Sequence, residues 1–195
     1  MRQTVALHHA SRLVNHGPTV LVTTEHDGRR NVMAAAWSMP VEFTPPRIAV
    51  VVDKKTFTSE LLQASGRFAL NLPVPALADL TYRVGSESGR DLDDDGTDKF
   101  ARHGIATFTG PALGLPLVEG CCAWLELRRI AEPHSEQAYD TVFGEVVSAQ
   151  ADDRVFVQGH WSFRDDNAAW HTLHHFGGGV FGVPSRVVQG HLLAR

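Results

Sequence analysis

The sequence predicts an all-β-dominated fold, a barrel with short peripheral helices. Three observations predict it: at least six short apolar, β-rich segments, turn or proline signals between them, and no long helices alternating with the strands. A doubly wound parallel sheet needs that alternation and is disfavoured.

The elements follow in chain order. Thr19–Thr24 is β-rich, Asp27-Gly28 supplies a hairpin turn, and Arg30 and Asn31 restart an extended segment that runs through Trp37. Pro45-Pro46 breaks the chain before Arg47–Val52, an apolar run long enough for a buried strand. Glu60–Ala64 reads as a short helix stopped by Gly66, and Gly66–Leu72 as a strand ended by Pro73 and Pro75. Leu77, Leu80, Thr81 and Val84 recur at helical spacing within Ala76–Val84. Gly85–Gly96 reads as a long polar loop, either a lid or a dimer contact. Cys121–Ile130 and Thr141–Gln150 read as antiparallel partners, with Val155–Val157 extended after the turn Asp152–Arg154.

Candidate chemistry gathers between the third strand and the first helix. Lys54, Lys55, Thr56, Thr58 and Ser59 place two ammonium groups and several hydroxyls at a helix N-terminus, whose unpaired N–H groups suit a phosphate dianion. The same residues also read as an ordinary N-cap with a solvated lysine pair. Asn31 and Asn71 bracket apolar strands, either as turn caps or as amides that a buried ligand satisfies.

Other motifs carry less. Asp91-x-Asp93-x-Asp95-Gly96 opens like a calcium loop, but Arg102 stands where the bidentate glutamate belongs. Gly177-x-Gly179-x-x-Gly182 matches a dinucleotide fingerprint with too little chain after it for the remaining helix and strand. His171, His174 and His175 have the spacing of one helical face; a tail helix at a dimer surface is the expectation, and no metal is assigned.

Composition sets the class. With 43% hydrophobic and 21% charged residues in 195, the chain suits one globular domain with a real core. Its formal charge of −4 provides no basic field for nucleic acid. Histidines and arginines interrupt the amino terminus before a signal-peptide core, and no apolar run reaches membrane-spanning length, so the expected location is cytoplasmic. The adjacent Cys121 and Cys122 cannot form a disulfide framework and read as sheet or core residues.

Gly17–Thr24, Asp27-Gly28 with Asn31, Ala35-Ala36-Trp37-Ser38-Met39-Pro40, Pro45-Pro46, Gly66–Leu72, Asp98-Lys99-Phe100 and Leu173–Gly179 with Phe181-Gly182 occur in an order that resembles the flavin reductase-like family of FMN-binding split barrels, flavoredoxin included. The resemblance implies a split β-barrel over residues 1–195, with a core at about 14–160 and a tail, 161–195, at a dimer interface. It implies FMN held by its phosphate at Thr56 and Ser59, and by its ring edge along Ala35, Ala36, Trp37, Ser38 and Met39. It also implies His175 near the flavin face, NADH or NADPH as hydride donor, and a small-molecule or protein electron acceptor. Catalysis on the flavin demands no acid or base from the chain. The alternatives are an FMN electron carrier without nicotinamide turnover, or a split barrel binding haem or pyridoxal phosphate.

Overall fold

The computed structural model describes residues 17–190. The amino-terminal residues up to 16 and the last five of the expected tail lie outside the described residues. Four strands open the chain: β1 (Val20–His26), β2 (Arg29–Ala35), β3 (Ser38–Phe43) and β4 (Pro46–Val51). Asp27 and Gly28 both adopt positive φ, the conformation that joins two strands with the right twist. Helix α1 (Phe57–Ser65) begins one turn earlier than its apolar pattern announces, because Thr56 caps it by accepting from Ser59 N–H; Gly66, left-handed at φ 67°, ends it.

Beyond β5 (Arg67–Leu72), helices α2 (Ala78–Ser86), α3 (Gly89–Asp94) and α4 (Lys99–His103) follow in quick succession. The segment expected as a polar loop is therefore largely helical. Ser88 caps α3, and Arg29 holds it against the barrel by pairing with Asp93 at 2.7 Å. Short strands β6 (Thr107–Thr109) and β7 (Pro116–Val118) precede the long pair β8 (Ala123–Ile130) and β9 (Thr141–Ala151), which flank α5 (Pro133–Tyr139). Hairpins β10 (Phe156–Val157) with β11 (His160–Trp161), and β12 (His174–Gly177) with β13 (Val180–Gly182), complete the described chain.

The seven long strands form one antiparallel sheet in the order β2-β1-β5-β8-β9-β4-β3. Its two edge strands, β2 and β3, are consecutive in sequence and separated only by Ala36 and Trp37. Three peptide steps reach at most about 11 Å, so the sheet must curl until its edges nearly meet. This is the split of the barrel. The extended segment expected to run through Trp37 ends as a strand at Ala35, where the chain crosses from one edge to the other.

Both faces of β1 are covered, which explains its unbroken apolar run. Val20 and Val22 face the interior with Phe68, Leu70 and Leu127, while Leu21 packs outside with Val32, Val84 and Phe100 beneath α2 and α4. Lys99 is buried there. Its ammonium donates to Val32 O at 3.1 Å on the edge strand β2 and to Val84 O at 2.7 Å in the last turn of α2. One side chain thereby covers a sheet edge and satisfies an orphan helix carbonyl. Glu126, also buried, accepts from Ala112 and Leu113 N–H, both at 2.8 Å, and so fixes the loop before β7. Cys121 and Cys122 are free and buried. Among the described residues no helix is long and apolar enough to cross a membrane.

Candidate functional site at the barrel split

The split brings two sequence-predicted segments together. Val51 N–H donates to Trp37 O at 3.0 Å, so Ala35–Met39 runs beside the end of β4, and Asp53–Ser59 leaves directly from it. Ala35 faces the core, Ala36 and Ser38 are half-buried, and Trp37 and Met39 stand 49% and 61% exposed at the mouth.

At the start of α1, Thr56 Oγ1 donates to Asp53 O at 2.7 Å and accepts from Ser59 N at 3.1 Å, while Glu60 N bonds Thr56 O. Of the four first-turn donors, the N–H groups of Phe57 and Thr58 remain without a partner among the described residues, an arrangement that attracts an anion. The two lysines differ. Lys54 Nζ is tied to Gln137 O and Asp140 Oδ1, both at 2.9 Å, and this bond holds the Asp140 carboxyl below its usual range; Lys55 is exposed at the turn. Arg29 and Arg90 add positive charge where they pair with Glu60 and lie over the Phe57 ring.

The asparagines belong to the frame. Asn71 is fully buried; its amide donates to Leu21 O and Thr23 Oγ1, and its carbonyl accepts from Val118 N at 2.8 Å. Those bonds engage both amide hydrogens and one lone pair of Oδ1 within the sheet. Asn31 is a strut: Nδ2 donates to Thr58 Oγ1 at 2.8 Å, joining β2 to the first turn of α1, and Gly89 closes over the side chain. It braces the start of α1 against β2, and its Oδ1 is buried without a partner among the described residues. Sequence spacing alone could not distinguish an inward amide that braces two elements from one that meets a ligand.

The histidines do not share a helical face. His171 is buried with ring nitrogens against Pro184 O, Asn167 Oδ1 and Arg164 O, whereas His174 and His175 lie on β12, where left-handed Gly178 and Gly179 turn the chain into β13. The expected tail helix is this hairpin. Among the described residues no cluster of three metal-ligating side chains occurs. Pro18 bridges to His174, and His175 N–H donates to Thr19 Oγ1 at 3.1 Å, so the hairpin is sewn to the start of β1. His175 and Ala36 consequently line the same small cavity with Tyr82 of α2. Sequence spacing gave no sign that α2 would contribute.

A second, larger cleft of about 590 Å³ lies on the other side of the split. Ser38, Met39 and Pro40 form one wall, and Leu70, Leu125 and Trp161 form much of the rest. It falls within the usual size for organic ligands.

The comparisons agree with this geometry. Residues 12–178 match the flavin reductase like domain. The uncharacterized protein YddH of Escherichia coli (strain K12) is 56% identical over 180 residues, covering 91% of this chain and 92% of its own. The reductase subunit HsaB of a flavin-dependent monooxygenase from Mycobacterium tuberculosis (strain H37Rv) is 29% identical over 128 residues, 66% of this chain and 62% of its own. The solved FMN-binding domain of a flavin reductases-like enzyme from Shewanella baltica OS155 superposes with a TM-score of 0.84 at 42% identity, over 97% of both chains. With its split sheet and its matched span, this chain belongs to the flavin reductase-like domain family.

Proposed function

We propose that the chain binds FMN across the split and works as an NAD(P)H-dependent flavin reductase in the cytoplasm, passing electrons to a small-molecule or protein acceptor. The observation that carries this reading is the bond between Val51 N and Trp37 O, which sets the backbone at 35–39 beside the end of β4, from which the chain runs directly into the α1 N-terminus with its two open N–H groups. The residues fit the cofactor. Phe57 and Thr58 N–H, with Lys55 beside them, would hold the phosphate, and the small Ala35 and Ala36 let the backbone approach a planar ring edge that Ser38 can meet with its hydroxyl. When bound, FMN supplies the redox chemistry, taking a hydride from a nicotinamide and releasing electrons to the acceptor. The FMN-binding domain from Shewanella baltica and the reductase subunit HsaB support the two halves of the reading.

The same edge supports a homodimer. On β3, Met39, Val41 and Phe43 are exposed, Phe43 at 91%, and Trp37 and Trp161 extend the apolar surface across the cleft. An edge strand with that surface is a liability unless a second copy covers it. Sedimentation should give a dimer, and Phe43→Asp should shift it toward monomer.

The visible spectrum of the purified protein, followed by anaerobic NADPH and then NADH, tests the function. Yellow protein that bleaches supports a reductase. Yellow protein that stays oxidised favours an electron carrier fed by another enzyme, and protein that neither carries nor takes up FMN refutes the assignment.

A further inference from the structure

Two arginines on the outer face of the helical layer share a cavity and have no partner. Arg29, Arg30 and Arg90 each pair with a carboxylate, whereas Arg83 on α2 and Arg102 on α4 make no ion pair or hydrogen bond among the described residues. Asp79 stands four residues before Arg83, the spacing and direction of a favourable helical ion pair, yet the two do not pair. Both arginines line a cavity of about 600 Å³, with Asp79, Tyr82 and Ser86 on its α2 wall and His103 on its α4 wall.

Other residues hold these walls together. His103 Nε2 lies 2.5 Å from Glu87 Oε2, a bond that keeps the Glu87 carboxyl below its usual range, and Lys99 at the start of α4 donates to Val84 O in α2. Glu87 is committed to His103 and pairs with neither arginine. The packing of α4 on α2 therefore does not account for Arg83 and Arg102.

The lining defines what would satisfy them. Two guanidinium groups on facing helices suit a phosphate ester, which each can meet with parallel N–H donors. The Asp79 carboxylate accepts only, so it suits a sugar hydroxyl or a ring amino group. Tyr82 is half exposed, with Gly179 packed against its ring, and offers a surface on which a flat base can stack. A nucleoside phosphate carries all of these groups, and the volume is within the usual range for such ligands. Position narrows the choice. Tyr82 and Ser86 also line the small cavity that reaches Ala36 and His175, so a dinucleotide lying across Tyr82 would have one end at the ring-edge segment and the other at the arginines.

We propose that Arg83 and Arg102 bind the 2′-phosphate of NADPH and so give the chain a preference for NADPH over NADH. As a statement about the hydride donor it rests on the reductase reading above; the affinity of the cavity for an adenosine 2′-phosphate is measurable without that reading.

Adenosine 2′,5′-bisphosphate and adenosine 5′-monophosphate differ only in the 2′-phosphate and test the site by calorimetry, with and without saturating FMN. The wild type should bind the bisphosphate about tenfold or more tightly than the monophosphate, and Arg83→Met and Arg102→Met should each lose most of that preference. Both arginines are exposed and unpaired, so the melting temperatures of the variants should hold. Arg128→Met, which removes an exposed arginine of β8 outside the cavity, should keep the preference. The proposal is overturned if the wild type does not discriminate, if both cavity variants still do, or if Arg128→Met loses the preference equally, since general charge would then explain it. It is also overturned if FMN displaces the bisphosphate, because the arginines would then serve the flavin phosphate. In anaerobic flavin reduction, the ratio of kcat/KM for NADPH to that for NADH should fall about tenfold or more in either cavity variant, and an unchanged ratio would refute the assignment. Flavin that bleaches in a protein without 2′-phosphate preference would leave the reductase reading intact and refute this one. Preference for the bisphosphate in a protein that takes up no flavin would do the reverse, keeping the nucleotide site and refuting the reductase.

Discussion

Lys99 gives the fold a pH dependence that can be isolated. Burial pushes its ammonium down from 10.5 to about 8, with Glu87 opposing part of the effect. At about 1.36 kcal/mol per pH unit, keeping that group charged costs the folded state about 3 kcal/mol near neutrality. The unfolded chain binds the additional proton between pH 8 and 10.5, so stability should rise across that window as the cost is relieved. The neutral amine retains two N–H donors for Val32 O and Val84 O. Cys121 and Cys122 work in the opposite direction. Burial pushes Cys122 up to about 12 and Cys121 well above its usual value, so stability they contribute below pH 9 is lost as the unfolded thiols ionise above it. Comparison with Lys99→Met cancels the thiol contribution. At pH 7 the variant removes the charge but leaves two buried carbonyls unpaired, each costing roughly 1 to 3 kcal/mol, for a net loss of about 1 kcal/mol. Urea unfolding with reductant should show the wild type gaining on the variant by about 1 kcal/mol between pH 8 and 9, and about 3 kcal/mol from pH 7 to 10.5. A difference that stays flat with pH would refute this account of Lys99.

Thr56→Ala should lower stability by about 1 kcal/mol without any flavin present, because it removes the α1 cap; urea unfolding of FMN-free protein checks this. In the folded double variant Thr56→Ala/Ser59→Ala, which loses the cap that presents the Phe57 and Thr58 N–H groups, FMN affinity should fall by roughly 1 to 2 kcal/mol in a fluorescence titration, and an unchanged affinity would move the phosphate site elsewhere. Gly89→Ala drives a methyl into the Asn31 amide and should destabilise by about 1 to 3 kcal/mol in thermal unfolding. Arg129 and Glu136 form a two-pronged pair at 2.8 and 2.6 Å that locks α5 to β8 and holds the Glu136 carboxyl below its usual value. Glu136 therefore contributes stability above its unfolded pKa and loses it as pH falls through the folded one. Arg129→Met should cost about 2 kcal/mol at pH 7, less than a fully buried pair, and flatten the acid limb of the stability curve.

The long strands were legible because their signals are local: Asp27-Gly28 dictates its own turn, and Cys121–Ile130 and Thr141–Gln150 carry enough β-branched and apolar residues to pair. The elements missed depend on partners. Ser38–Phe43 contains a proline and exposes five of its six residues, so nothing in its pattern announces a strand; pairing with β4 makes it one. Six-residue α3 is too short to form on propensity and relies on Ser88 and the Arg29–Asp93 bridge. The histidines misled for the opposite reason: their spacing fits a helix, but Gly177–Gly179 turns the chain and places it on the sheet start.

The candidate site follows the same division. The segment at 53–59 could be named from its hydroxyls and lysines before a helix, whereas 35–39 was named only by the resemblance to the family. Their adjacency could not, because it arises from the sheet curling until β2 and β3, consecutive in sequence, become its two edges. The hairpin and α2 close onto that seam through Thr19 with His175 and through Tyr82 with Gly179, contacts between residues far apart in the chain. A substitution at Thr19 should therefore disturb His175 and the cavity while leaving the phosphate-side helix in place, whereas one at Asn31 should do the reverse. The seam thus rests on two separate supports, Thr19 with His175 on one side and Asn31 with Thr58 on the other.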